Sequence, residues 1–352
     1  MISRILSNDL PRSRILAVML IVITLGLALT PFIFHGSKPL DVAAKILIFI
    51  VLVASYDLLL GYTGIVSFAH TMFFGIGAYG IAIASARFDP TWGHLGLGVL
   101  AAVVLSAVLS ILIGLLSLRV RAIFYTMITL AVAAAFQTLS SQRSDITGGD
   151  DGLTFSVPEI FSGGYHLFDQ PIFGVEINGK IVAFYMIFIA TVIFFLAMLR
   201  IVNSPFGRVL LAIRENVFRA EAIGYNTVIF RTIANVWSAV FATLAGSLWA
   251  LWLAYNGPDS TLSFQIMIDI LLIIVIGGMG TMYGAICGAT IFFLAENYLR
   301  DLIALGSKAT QSIPWLSTLL SPDRWLLWLG VLYVLSVYFL ATGIVGRLRT
   351  RK

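Results

Sequence analysis

One histidine and several small hydroxyl side chains lie inside an otherwise apolar stretch of this sequence. His70 follows Ser67 at a three-residue spacing, which would place both side chains on one face of a helix. A serine beside a histidine resembles a nucleophile and its base, but no acidic residue is evident that would orient the imidazole. Catalysis is therefore disfavoured, and a hydrogen-bonded structural role for His70 is favoured over a proton relay.

Two glycine motifs invite comparison with phosphate-binding loops. Residues 75–80 spell G-x-G-x-x-G, but that fingerprint requires a preceding strand, and apolar sequence of helical length lies on both sides of it. Close helix packing is the better interpretation. The chain has no G-x-x-x-x-G-K-[ST] motif, because its one Gly-Lys pair, Gly179-Lys180, is followed by Ile181. We expect no enzymatic activity and no cofactor, so any ATP hydrolysis must occur on another chain.

A polar, turn-rich segment, residues 141–180, separates two apolar regions. Glycine and aspartate near its start favour tight turns. A Ca²⁺ loop would need D-x-D-x-D-G spacing, which is absent, so no metal is expected. The segment is either an ordered connector or a docking face for an external protein, and the candidate docking residues are Thr147, Gly148, Gly149, Asp150 and Asp151.

Composition limits the fold class. The 352 residues are 59% hydrophobic and 11% charged, against about 25% charged in soluble proteins. We therefore predict an all-α polytopic membrane protein in the lipid bilayer, forming one transmembrane domain over residues 1–352. About ten spans of about 20 residues are expected, with eight or nine as alternatives. The predicted spans are 15–34, 41–60, 70–86, 95–118, 122–140, 181–199, 231–255, 265–277, 281–300 and 325–346.

Charge is distributed unevenly between the two faces that ten spans would create. Most basic residues, including Arg4, Arg12, Arg119 and Arg121, fall on the face that carries both chain ends, and most acidic residues fall on the other. By the positive-inside rule, both termini are predicted to be cytoplasmic. The net charge of +5 therefore reflects topology and does not indicate nucleic acid binding.

Glycines interrupt the apolar sequence in both halves of the chain, at residues 61–80 and 277–288. Such interruptions allow a helix to break and line a cavity, and paired interruptions point to a binding site between repeats. We predict a solute pathway with broken or re-entrant helices. Its candidate residues are Gly61, Gly64, Ser67, Phe68, His70, Thr71, Gly75, Gly77, Gly277, Gly278 and Gly280.

Three carboxylates, those of Asp57, Asp269 and Glu296, also fall within apolar runs. Ionisable groups at membrane depth are costly and are functional by default. Two roles remain open for them, together with His70. They are pairing, hydration or gating groups in a motor-driven permease, or a proton relay in a secondary transporter.

The segment 200–230 is predicted to be cytoplasmic and to contain one short amphipathic helix. Ser204 is a good N-cap and Pro205 a good first residue, and Gly224 follows at a plausible helix end. Periodicity alone leaves two roles open, a helix in the lipid interface or a helix in the groove of a cytoplasmic protein.

Several motifs resemble one family of transport proteins. They are Gly61-x-x-Gly-x-x-Ser-x-x-His70, Phe74-Gly-Ile-Gly-Ala-Tyr79, Thr147-Gly-Gly-Asp-Asp-Gly-Leu153, Ser204-Pro-Phe-Gly-Arg208, Ala212-Ile-Arg-Glu-Asn216, Ala220-Glu-Ala-Ile-Gly-Tyr-Asn226 and Gly277-Gly-Met-Gly-Thr281. In this order they resemble the M-type permease subunits of branched-chain amino acid ABC importers, over about residues 45 to 300. Ile65 departs from the pattern, because many relatives have Gln there.

The resemblance implies an importer assembly in the bacterial inner membrane. This chain would pair with a homologous permease, two cytoplasmic ABC ATPases would drive transport, and a periplasmic binding protein would deliver leucine, isoleucine or valine. A urea or short-amide importer is the alternative within the same wider family. The segment 200–230 would then couple to the ATPases, through Arg208, Arg214, Glu215, Arg219, Glu221 and Gly224.

Overall fold

The computed structural model describes residues 13–34, 36–117, 122–166, 176–309, 321, 324–339 and 342–350. The helices are α1 (Arg14–Ile33), α2 (Ser37–Thr63), α3 (His70–Arg87), α4 (Trp92–Ser117), α5 (Ala122–Gln142), α6 (Ser144–Thr147), α7 (Gly179–Val202), α8 (Pro205–Glu215), α9 (Val217–Ala222), α10 (Thr227–Leu253), α11 (Pro258–Thr261), α12 (Phe264–Gly277), α13 (Met282–Ala309), α14 (Trp325–Phe339) and α15 (Gly343–Thr350). Two short strands, β1 (Leu153–Thr154) and β2 (Tyr255–Asn256), pair antiparallel.

The all-α membrane class is confirmed, but the count of ten spans is not. Within the described residues, seven helical segments are long and apolar enough to cross a membrane: α1, α2, α4, α5, α7, α10 and the segment Pro258–Gly277. The other three predicted spans coincide with α3, α13 and α14, which do not meet the same standard. Glycines in α3 and polar residues in α13 lower their hydropathy, and α14 has only 15 residues.

Helix α2 forms the centre of the molecule. Its most apolar window is 94% buried, whereas those of α1 and α4 are each 28% buried. Helices α7, α10 and α13 pack against it. Hydroxyl groups on two of these neighbours hold it in register, because Ser238 Oγ donates to Ser55 O (2.7 Å) and Thr191 Oγ1 donates to Leu47 O (3.2 Å).

Helices α3 and α10 pack most closely, through small residues. A Cβ at Gly77 would overlap the Thr243 carbonyl, and one at Gly246 would overlap the Phe74 carbonyl. Thr243 Oγ1 also donates to Phe73 O (3.1 Å) across the contact. The G-x-G-x-x-G motif thus lies inside a helix at a helix–helix contact, as small residues permit in membrane proteins.

The predicted orientation of the chain in the membrane depends partly on the positions of four arginine residues. Arg4, Arg12, Arg119 and Arg121 all lie outside the described residues. Cytoplasmic placement of the two termini therefore stays a prediction.

Candidate translocation and coupling site

The first glycine-rich stretch contains a helix break between α2 and α3. Gly64 follows the end of α2 in the left-handed conformation, with φ of 73°, and α3 begins at His70. Glycine adopts this conformation at little cost, which explains where α2 ends. Threonines on α5 satisfy backbone groups of the break: Phe68 N donates to Thr129 Oγ1 (3.1 Å) and Thr126 Oγ1 donates to Val66 O (3.3 Å).

Side chains of the break divide into buried and accessible groups. Ser67, His70 and Thr71 are each 2% exposed. Gly64 is exposed, and Phe68 is half-buried with its ring 5.8 Å from that of Phe264 on α12. Of these predicted pathway residues, Gly64 and Phe68 therefore reach the surface of the isolated chain.

His70 is held by α2 rather than directed at a cavity. Its Nε2 atom lies 2.9 Å from Ser55 Oγ and 3.1 Å from Leu52 O. The imidazole ring also packs at 5.0 Å from the ring of Tyr56. These contacts satisfy the buried side chain and agree with a structural role for His70.

The two glycine-interrupted regions meet at one point. The Gly280 N–H donates to Asp57 Oδ1 (2.8 Å), and a Cβ added at Gly61 would lie 2.5 Å from Gly280 N. Gly278 and Gly280 have φ of 116° and 76°, so the turn from α12 to α13 relies on glycine. Asp57, Gly61 and Gly280 therefore bring the end of α2 against this turn.

Arg214, at the end of α8, completes this point of contact. Its Nη1 donates to the Gly61 carbonyl, and a Cβ at Gly280 would lie 2.8 Å from the same Nη1 atom. We call Asp57, Gly61, Arg214 and Gly280 the inner junction. It joins three parts of the chain that lie far apart in the sequence: α2, the α12–α13 turn and the segment 200–230.

The remaining predicted pathway glycines serve close packing. Gly75 lies against Leu262 and Gly77 against the Thr243 carbonyl. Gly277 lies against the Gly284 carbonyl, and Gly278 has the Thr342 carbonyl within 2.9 Å of its Cβ position. These four glycines lie at packing contacts rather than at a cavity wall. Their place in a solute pathway stays a prediction.

The prediction of one helix ending near Gly224 was wrong in detail. Two helices, α8 and α9, occupy the segment and meet at Asn216, which has the extended conformation (φ −158°, ψ 106°). The Asn216 side chain accepts a hydrogen bond from Arg219 N (2.9 Å), so it caps a new helix instead of continuing the first. At the start of α8, the predicted cap is present, with Ser204 Oγ accepting from Gly207 N (3.4 Å).

The predicted coupling residues differ in where they point. Arg208, Glu215 and Arg219 are exposed, and Gly224 has no atom within 4 Å of its Cβ position. Glu221 is also exposed, and it accepts a hydrogen bond from Thr227 Oγ1 (2.7 Å), which ties α9 to α10.

Phe218 is a surface residue that sequence reasoning missed. This α9 side chain is 83% exposed and lies next to Arg219 in the sequence. Large apolar side chains are more often buried. The pattern of apolar residues could not reveal it, because the bend at Asn216 changes which positions of the segment face outward.

The start of the segment 141–180 is an ordered turn. Thr147 Oγ1 donates to Arg143 O (2.6 Å), and Gly148 and Gly149 have φ of 77° and 65°. Strand β1 follows and pairs with β2 beyond α10. Three of the predicted docking residues thus shape the turn, whereas Asp150 and Asp151 present exposed side chains.

Potential metal ligands do not gather anywhere in the part of the chain that the structure describes, judged by groups of three or more His, Cys, Asp or Glu. Two ion pairs join α2 to α13 within the described residues, and one of them involves Lys45, which sequence reasoning overlooked. Its Nζ lies 3.1 Å from Glu296 Oε2, across 251 residues of sequence.

Residues 39–342 match the family described as the permease component of branched-chain amino acid transport systems. The chain belongs to this family. It is a multi-pass membrane protein.

Individual relatives agree with this assignment. The high-affinity branched-chain amino acid transport system permease protein LivM of Salmonella typhimurium is 26% identical over 78% of this chain and 68% of LivM. The probable LivM of Methanocaldococcus jannaschii is 25% identical, over 71% of this chain and 69% of its own. The permease protein LivH of Salmonella typhimurium is 23% identical, over 84% and 91%. No solved structure matches significantly.

Proposed function

We propose that this chain is the permease subunit of an ATP-driven ABC importer for branched-chain amino acids. It works with a homologous permease, two cytoplasmic ABC ATPases and a periplasmic binding protein, in the bacterial inner membrane with both termini cytoplasmic. The similarity to both LivM and LivH supports a homologous partner, since one fold then serves both subunits. The family match favours this function over a urea importer or a proton-coupled transporter.

The inner junction is the observation that carries the proposal. A permease without its own nucleotide site needs a mechanical connection between the surface that meets the ATPases and the helices that open. Arg214 supplies one, because it belongs to α8 but binds the Gly61 carbonyl at the end of α2. The Asp57 carboxylate binds the Gly280 amide on the same junction, so a shift of α8 acts on both glycine-interrupted regions.

The segment 200–230 has the two faces that such a connection requires. Leu210 and Ile213 are buried against the transmembrane helices. Arg208, Glu215, Arg219 and Phe218 form the exposed face and offer charges around one aromatic anchor. An exposed aromatic residue beside arginine is the composition expected of a protein interface, so this face is where the ATPases would dock.

The solute pathway would run beside the break rather than through the chain. Gly64 and Phe68 reach the surface, while Ser67 and Thr71 lie directly beneath them. The exposed Phe264 next to Phe68 adds an apolar wall suited to an aliphatic side chain. A homologous permease facing this surface would complete the conduit.

Reconstitution tests the proposal. The chain is incorporated into liposomes with its partner permease, the ATPases and the binding protein, and leucine uptake is followed. Uptake should require ATP and every partner, and a protonophore should not abolish it. Uptake by this chain alone that collapses with a protonophore would assign it to the secondary transporters instead.

A further inference from the structure

The end of α2 opposite the inner junction carries charged residues at a spacing that aligns them. Lys38, Asp41 and Lys45 recur every three or four residues, so their side chains share one face of the helix. Two of them pair with α13: Lys38 Nζ lies 2.9 Å from Asp301 Oδ2, and Lys45 Nζ lies 3.1 Å from Glu296 Oε2.

The two ion pairs differ in depth. The side chains of Lys38 and Asp301 are 55% and 61% exposed, whereas those of Lys45 and Glu296 are 28% and 27% exposed. Charges placed in a membrane protein at such depth are costly unless they line a wet cavity or serve a function. Lys45 also sits 4.6 Å above the ring of Phe293, which fixes its ammonium group in place.

A cavity of about 550 Å³ opens beside Lys45. Its size falls within the range of small-molecule sites. Lys38, Asp41, Lys45 and Lys180 line it with charge, and the indole rings of Trp249 and Trp252 line it with apolar surface. Cations thus exceed anions on the wall of the cavity.

One polar atom of the lining has no partner. The indole N–H of Trp249 is buried and makes no hydrogen bond within the described residues. The nitrogen is enclosed by protein, so the indole presents its ring and not its N–H to the cavity. The same ring packs edge-on against Phe49 at 6.0 Å, which holds the indole rigidly.

We propose that this cavity is a binding site for a free amino acid with an aliphatic side chain, on the outer side of the permease. The ligand carboxylate binds Lys45 and Lys180, the ligand ammonium group binds Asp41, and the side chain lies against Trp249 and Trp252. Such an amino acid carries one negative charge, one positive charge and one apolar side chain. The cavity wall offers a complementary group for each of the three.

Glu296 acts here as a positioning residue. An ammonium group has three donors, and Glu296 uses one of those on Lys45. The ion pair therefore aims Lys45 while leaving donors for a ligand carboxylate. The inference rests on the proposed function, because it takes the transported amino acid as the ligand.

The test measures equilibrium binding of radiolabelled L-leucine to the assembled transporter in nanodiscs, without binding protein or nucleotide. The wild type should bind leucine saturably. Leucinamide, which lacks the carboxylate, should not compete. Lys45→Met should weaken leucine binding by about tenfold or more, whereas Lys45→Arg should restore part of it.

Asp301→Asn is the matched control. It removes the ion-pair partner of Lys38, a lining residue to which the proposal gives no ligand contact, and Asp301 itself does not line this cavity. Its leucine binding should equal that of the wild type. Asp41→Asn provides a second variant at an exposed position near the start of α2, where loss of folding is not expected, and it should also weaken binding.

Each outcome decides the matter. Wild-type binding that Lys45→Met and Asp41→Asn leave unchanged overturns the proposal, as does an equal loss in Asp301→Asn. Loss of binding-protein association in Lys45→Met, without leucine binding by the wild type, assigns the cavity to protein docking and also overturns it. ATP-driven leucine uptake by the wild type, measured in parallel, tests the proposed function separately.

Discussion

The two ends of α2 hold charge in different ways. At the inner junction, charged side chains bind backbone groups: Asp57 accepts from the Gly280 N–H, and Arg214 donates to the Gly61 carbonyl. At the other end, charged side chains bind each other, and the two paired lysines, Lys38 and Lys45, line a cavity. A charge bound to backbone locks the position of an element, whereas a charge paired at a cavity wall keeps donors for a ligand.

This difference assigns different tasks to the two ends of one helix. The inner junction joins three chain segments through glycines that leave no free space, so movement of one segment must displace the others. The other end of α2 borders a cavity of about 550 Å³, which can hold a solute without movement of a helix. Variants at the inner junction should impair movement, whereas variants at the cavity end should impair binding of a solute.

The largest effect is expected at Gly61. A Cβ in Gly61→Ala would overlap Asp57 Oδ1 and lie 2.5 Å from Gly280 N, so the inner junction must separate. Overpacking of this kind costs about 1–3 kcal/mol. If the same energy is added to the barrier of the transport step, ATP-driven leucine uptake should fall by up to about 100-fold.

Gly26→Ala is the matched control for this substitution. Gly26 lies in α1 with no atom within 4 Å of its Cβ position, and the variant should transport normally. Wild-type uptake by Gly61→Ala would show that the inner junction is not required for transport.

A smaller but more selective effect is expected at Arg214. Arg214→Gln removes a charged hydrogen bond to Gly61, a contact of about 1.5–3 kcal/mol in general. Leucine uptake should fall by about tenfold while the assembled complex continues to hydrolyse ATP, because docking is intact but movement is not transmitted. Uptake and ATPase rates are measured on the same proteoliposomes.

Arg208→Gln separates transmission from docking. Arg208 is on the exposed face of α8, so this variant should bind the ATPases less tightly, with a deficit that depends on salt. If Arg214→Gln instead lost the ATPases and Arg208→Gln lost coupling, the assignment of the two faces would be reversed.

Much of the fold was accessible from the sequence because it depends on local patterns. Apolar runs of helical length placed the helices of the described residues, and Gly64 marked the break after α2. The cap at Ser204 and Pro205 placed the start of α8. Each of these features is decided within a few residues, where hydropathy, capping and glycine conformation act directly.

The contacts that carry function were harder to predict because they join distant residues. Asp57 and Gly280 are 223 positions apart, and Lys45 and Glu296 are 251 apart. The coupling role of Arg214 stays a prediction, and its bond to the Gly61 carbonyl could not be foreseen, since periodicity shows which residues share a helix face but not what that face touches. Phe218 was missed for the same reason, after the unexpected bend at Asn216.

The middle of α2 provides an intermediate test, where a buried polar contact should affect stability rather than mechanism. His70→Phe removes the imidazole nitrogen from Ser55 Oγ and Leu52 O, which still bond each other, and the loss of a buried hydrogen bond costs about 0.5–1.5 kcal/mol. Thermal unfolding of the purified protein should therefore occur at a lower temperature. His94→Gln, on a half-buried histidine near the start of α4 whose ring bonds Thr91 Oγ1 and Asp89 O, serves as the control.

A relay role for His70 makes a different prediction. If the imidazole carried protons, His70→Phe would abolish a protonophore-sensitive component of uptake without changing thermal stability. We expect the reverse, with lower stability and uptake that scales with the amount of folded protein.

The smallest effect is expected at Asp150 and Asp151, on the exposed turn at the outer side. Their side chains make no structural contact comparable to that of Thr147, so the double variant Asp150→Asn/Asp151→Asn should fold normally. If this turn docks the binding protein, the association rate should fall by about threefold at low salt and be unchanged at high salt, since charges at an interface rim act through steering.

Surface plasmon resonance on nanodiscs at two ionic strengths would measure that rate. Glu159→Gln is the matched control, because it removes an exposed carboxylate from the same outer segment at a position not predicted to dock. An equal change in Glu159→Gln would mean that the outer side attracts the binding protein only through its total charge. The turn would then be a connector, and Lys45 with its cavity would be the one feature of the outer side with a specific task.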